Sequence, residues 1–139
     1  MKTQFSFPEL ARVLTLADKY AKAAADYEAQ SSAYNEISIR FDKEFEKHGW
    51  TFRKAPQSLF DLFDNKDSAM LQRDKIGSKA MRIAKTFGEL IGIGTNYPDI
   101  VEEKVVRFLS AGTHCDIPAM AERVKHLALV ATQKANIYA

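Results

Sequence analysis

Nitrogen or sulfur ligands for a metal, and the one candidate thiol nucleophile, would have to come from four side chains: His48, His114, Cys115 and His126. Adjacent ligands such as His114 and Cys115 rarely both reach one ion, and the interval to His126 matches no zinc spacing. A catalytic thiol at Cys115 would need a base and an oxyanion turn, and no glycine-rich turn surrounds it. The plainer reading is structural. His48 ends a helix, where a cation is favoured, and Cys115 is a small apolar residue ahead of another helix. The carboxylates read the same way. Asp61, Asp64 and Asp67 recur every third residue, and Asp99, Glu102 and Glu103 open a second group. Both groups fall in first turns, where acids offset the helix dipole. No Glu-x-x-His occurs, so the di-iron bundle pattern is absent. Gly92-Ile93-Gly94 starts like a dinucleotide fingerprint, but it lacks the third glycine and follows a helix instead of a strand. No catalytic residue, metal ligand or cofactor site is expected.

Two constellations point to binding instead. Between residues 51 and 87 there are eight Lys or Arg against four Asp. Within that stretch Lys75, Lys79, Arg82 and Lys85 share roughly one helix face, flanked by Arg73. That face would suit phosphates or an acidic protein, unless it is only the solvated side opposite Ile76, Ala80, Ile83 and Phe87. The second constellation is aromatic. Phe41, Phe45, Trp50, Phe52, Phe60 and Phe63 crowd around a turn that also carries Arg53 and Lys54. Interface hot spots favour Trp, Tyr and Arg. The competing reading is a small local core that closes the turn.

The elements that position these residues are legible from caps and stops. Ser6-Phe7-Pro8-Glu9 is a capping box, with Phe5 and Leu10 at the hydrophobic-staple positions. Asn96-Tyr97-Pro98-Asp99 and Asp116-Ile117-Pro118 repeat the same cap-then-proline order, and a further start falls near Pro56 to Ser58. Gly49, Gly92 and Gly112 read as stops. The spacing predicts helices over about 7–48, 58–91, 97–110 and 117–136. Strand signals are poor, with no sustained alternation and no Asn-Gly or Asp-Gly turn.

Residues 9 to 48 contain neither Gly nor Pro. Every seventh residue from 13 reads Val13, Tyr20, Tyr27, Tyr34, Phe41, His48; from 10 it reads Leu10, Ala17, Ala24, Ser31, Ser38, Phe45. The two rows share one helix face, and a sustained seven-residue repeat implies a left-handed supercoil with a partner helix. The fold expected is all-α: a long antiparallel helical hairpin, coiled-coil-like, with two shorter C-terminal helices packed on it as a bundle, in one domain over 1–139. A 42-residue first helix would span about 63 Å. That surplus length implies a break near Ser31-Ser32, a protruding hairpin, or a second copy packed as a homodimer.

Composition narrows the class further. The chain has 139 residues, 46% hydrophobic, with a net charge of +2 and one cysteine. It is too apolar for disorder, too short for two ordinary domains, and not basic enough to coat nucleic acid. A single cysteine excludes an internal disulfide framework and suits a reducing compartment. No apolar leader and no run approaching the roughly 20 residues of a membrane span occurs, so a cytoplasmic protein without membrane contact is expected. Residues 101 to 136 also fail a helix-turn-helix reading, because no second turn precedes a recognition helix and Lys134 would be its only charge.

The function expected is that of a small non-enzymatic interaction module: an adaptor, assembly factor or inhibitor, of the profile common among phage and mobile-element proteins. It would bind a protein partner through Trp50, Phe52, Arg53 and Lys54, with Arg73, Lys75, Lys79, Arg82 and Lys85 as a further contact face. The alternative is nucleic-acid binding by the basic face at 73–85.

Overall fold

The structure, a computed structural model, describes residues 1–93 and 117–138. It is all-α apart from two three-residue strands: β1 (Gln4–Ser6), α1 (Phe7–Lys47), α2 (Gln57–Leu90), α3 (Ile117–Gln133) and β2 (Asn136–Tyr138). The predicted helix over 97–110 lies outside the described residues, as do Gly94, Gly112, His114, Cys115 and Asp116. Helix α1 is continuous through Ser31-Ser32. A break there is therefore not how the chain accommodates the length.

The heptad rows of α1 face inward. None of their twelve residues is exposed, and Leu16, Ala23, Gln30 and Ile37 widen the covered stripe. A covered face of that width packs a helix into a globular protein, and the two heptad rows lie within it. Contacts divide the chain into two compact units, residues 1–25 with 77–139, and residues 26–76.

The first unit contains the start of α1, the end of α2, α3 and both strands. Its core comprises Val13, Tyr20 and Ala24 of α1, Ala80, Ala84 and Phe87 of α2, and Val124, Leu127 and Ala131 of α3. Tyr20 is wholly buried and its hydroxyl donates to the Ile117 carbonyl at 2.9 Å. Burying a phenol is favourable only when its O–H finds such an acceptor.

The capping box forms as its residue types require. Ser6 N–H donates to Glu9 Oε1 at 3.0 Å, and Glu9 N–H donates to Ser6 Oγ at 3.3 Å. Lys2 Nζ donates to the other Glu9 oxygen and lies 5.1 Å from the Phe5 ring centroid. Phe5 is fully buried in the staple position.

Helix α2 ends in a Schellman motif. Ile93 N–H donates to the Gly88 carbonyl at 3.0 Å, and Gly92 N–H to Glu89 at 3.2 Å. Gly92 takes φ +76°, and a Cβ there would meet Lys2 N at 2.9 Å. Glycine fits best, because the left-handed backbone penalises a side chain and the close approach of the Lys2 backbone leaves no room for one.

The chain corrects the sequence reading at its last helix. Helix α3 stops at Gln133, short of the predicted 136, because Asn136–Tyr138 pair in parallel with Gln4–Ser6. Asn136 N–H donates to Thr3 at 2.7 Å, and Phe5 stands opposite Ile137.

Gly49→Ala should cost about 1 kcal/mol, since its Cβ would meet nothing within 4 Å and only the left-handed φ is penalised. Gly92→Ala should cost clearly more, adding the collision with Lys2 to the same φ penalty. Urea unfolding of the two variants checks the order, and equal losses would refute the packing role of Gly92.

Candidate interaction surface on the hairpin unit

Residues 26–76 form an antiparallel hairpin of their own. Phe41 packs on Phe63 with ring centroids 5.8 Å apart, Lys66 pairs with Asp42 at 4.0 Å, and Arg73 lies 4.5 Å from the Tyr34 ring centroid. Tyr34 meets Arg73, whereas Phe41, later in α1, meets Phe63, earlier in α2, which defines the antiparallel register.

The reversal begins with a second Schellman motif. Trp50 N–H donates to the Phe45 carbonyl at 2.9 Å, and Gly49 N–H donates to Glu46 at 2.9 Å. The motif's usual apolar contact is supplied by Trp50 and Phe45, 5.8 Å apart. His48 Nε2 donates to the Arg53 carbonyl at 2.9 Å and ties the loop to the helix end. Thr51 Oγ1 accepts from Arg53 N–H at 3.1 Å. Ala55 N–H then donates to the Phe52 carbonyl at 3.1 Å, closing a turn with Lys54 at φ +58°. A positive φ at that third turn position is the type II pattern, which normally takes glycine. Helix α2 starts directly after Pro56, whose carbonyl accepts from Leu59 N–H at 3.0 Å.

Phe52 is the hub of the aromatic cluster. Its ring lies 4.7 Å from Phe45, 5.3 Å from Phe60, 5.5 Å from Phe63 and 6.1 Å from Phe41. The cluster is thus a local core, as one of the two sequence readings held. It is an incompletely covered one. Trp50 is 62% exposed, Phe63 43% and Phe60 39%. Trp50 also holds φ +58°, a region that bulky residues adopt only at a cost of about 1–3 kcal/mol.

The other residues singled out in the sequence separate by environment. Arg53 and Lys54 are exposed beside the turn. Arg73 is committed, stacked on Tyr34 and bonded to Asp74 Oδ1 at 3.1 Å. Lys75, in the hairpin unit, is exposed, as are Lys79, Arg82 and Lys85 of the first unit. None of these four makes an ion pair with a described residue. Asp61, Asp64 and Asp67 lie beyond the first turn of α2, which holds no acidic residue, so the dipole reading of the sequence does not hold for them. They and His126 are exposed, and no three His, Cys, Asp or Glu among the described residues converge as metal ligands would. No helix among the described residues is long and apolar enough to cross a membrane.

One feature was missed by the sequence reading. A cleft of about 350 Å³ lies in the hairpin unit, with Arg40, Lys43, Glu44, Lys47 and His48 on one side and Pro56, Ser58, Leu59 and Leu62 on the other. The i, i+3, i+7 spacing of Arg40, Lys43 and Lys47 was the available signal, since it places three cations along one helix face.

Phe52→Ala should cost about 2 kcal/mol, a discounted value for a half-buried Phe, whereas Trp50→Ala should cost under about 1 kcal/mol. Lys54→Gly should leave stability unchanged or raise it by up to about 1 kcal/mol, and Lys54→Val should lower it. Thermal unfolding followed by circular dichroism checks all four variants. No protein-family model, curated protein or solved structure matches this chain.

Proposed function

We propose that the chain is a non-enzymatic helical interaction module whose hairpin unit docks a protein partner through Trp50 and the exposed edges of Phe60 and Phe63. The observation that carries this reading is Trp50, the single tryptophan, 62% exposed on a left-handed backbone. Its contact with Phe45 leaves most of that apolar area uncovered in a costly conformation, which contact with another surface would explain. Arg53 and Lys54 would form a basic rim beside it. The heptad rows of α1 support a supercoiled seam with its neighbours, which would make the hairpin a stiff presenter. The single cysteine supports a reducing, cytoplasmic setting, and an adaptor, assembly factor or inhibitor is the class that fits.

A second reading has its own support. Lys79, Arg82 and Lys85 are exposed and make no ion pair with a described residue, which suits phosphate contacts. A homodimer is the third candidate, with exposed Phe7 and Leu14 of α1 as apolar surface.

A tagged pull-down at low salt, split between nuclease treatment and none, tests these readings. One stoichiometric protein retained after nuclease and lost with Trp50→Ala is the expected result. Retention that is nuclease-sensitive and weakens steeply between 50 and 200 mM salt would favour the nucleic-acid reading instead. Co-capture of an untagged second copy would favour the dimer.

A further inference from the structure

We propose that the cleft of the hairpin unit receives an acidic peptide segment of the partner, with its carboxylates on Arg40, Lys43 and Lys47 and an aliphatic side chain on Leu62 and Pro56. The inference rests on the interaction reading above and adds the chemistry of the occupant.

The cleft measures about 350 Å³, enough for a few side chains and too small for a folded domain. Its α1 side carries three cations spread over about 10 Å of helix axis, at 1.5 Å per residue. Arg40 and Lys43 make no ion pair with a described residue. Lys47 pairs only with Glu44 of its own helix, at 3.1 Å. An exposed pair of that kind is worth little and yields readily to a competing carboxylate. The α2 side differs in character. Leu62 is half-covered and Pro56 exposed, while Leu59 at 2% exposure is closed off behind them, so an apolar floor faces a wall of three cations and Glu44. That combination selects a ligand with negative charge and aliphatic surface side by side, which an acidic peptide has and a simple anion lacks. No Phe, Tyr or Trp ring lines the cleft, and the ring of His48 is tied through Nε2 to the Arg53 carbonyl, so a nucleic acid would find little base-stacking surface there.

The test is a selection of random twelve-residue peptides displayed on yeast, made against the full chain. Enriched peptides are then synthesised and titrated by fluorescence anisotropy against the wild type, Lys43→Glu, Arg40→Glu and Trp50→Ala. Circular dichroism verifies that each variant folds, and all three substituted residues are exposed. The expected result is enrichment of Asp or Glu next to Leu, Ile or Val, with affinity falling at least tenfold in Lys43→Glu and in Arg40→Glu. Enrichment without acidic bias, or no enrichment at all, would overturn the proposal. So would acidic peptides that bind Lys43→Glu as well as the wild type. Peptides that ignore both charge reversals but are lost in Trp50→Ala would remove the cleft while leaving Trp50 as the docking residue.

Discussion

Nothing in residues 9 to 48 would stop a helix before Gly49. The reversal at that glycine is the constraint on which the hairpin unit depends. With φ at +73°, the chain can turn its last free carbonyls back toward the N–H groups of Gly49 and Trp50. The 6→1 bond fixes where Trp50 sits, one residue past Gly49 and against Phe45. From there the turn at Lys54 and the start after Pro56 set the register in which Phe41 meets Phe63 and Tyr34 meets Arg73. A shift at Gly49 would move every one of these contacts together.

The cations of the molecule divide into those spent on the fold and those left over. Lys2, Lys66 and Arg73 each lie over an aromatic ring and also contact a carboxylate. Their methylene stems cover apolar surface while their charges are compensated. Arg40, Lys43, Lys75, Lys79, Arg82 and Lys85 have no such commitments among the described residues. Exposed charge alone is ordinary solvation. It gains meaning at Arg40 and Lys43 because there it borders a cleft with an aliphatic floor.

What was legible in the sequence is what local chemistry decides. The Ser6–Glu9 box, the two glycine stops and the seven-residue rows of α1 all follow from neighbours within a turn or two, and all are present. The aromatic turn was also visible, but its partial exposure was not, because exposure depends on how far other elements extend over it. Arg73 looked like part of the basic stripe until Tyr34, thirty-nine positions earlier, was found beneath it. The β1–β2 pair left almost no trace. Three residues in parallel register, with nearly the whole chain between them, give no turn signal and too little alternation to read.

That strand pair also sets an order of events. Residues 26–76 are contiguous, and every contact that defines the hairpin unit is available once Ile76 has been made. The first unit is discontinuous: Gln4–Ser6 finds its partner only when Asn136–Tyr138 appears. At about 5–20 residues per second of synthesis, β1 waits on the order of ten seconds on the ribosome with its edge uncovered. Phe5, central to the finished core, spends that interval without its opposite residue Ile137. The hairpin, with its aromatic turn and its cleft complete, is therefore able to form while the remainder of the chain is still emerging.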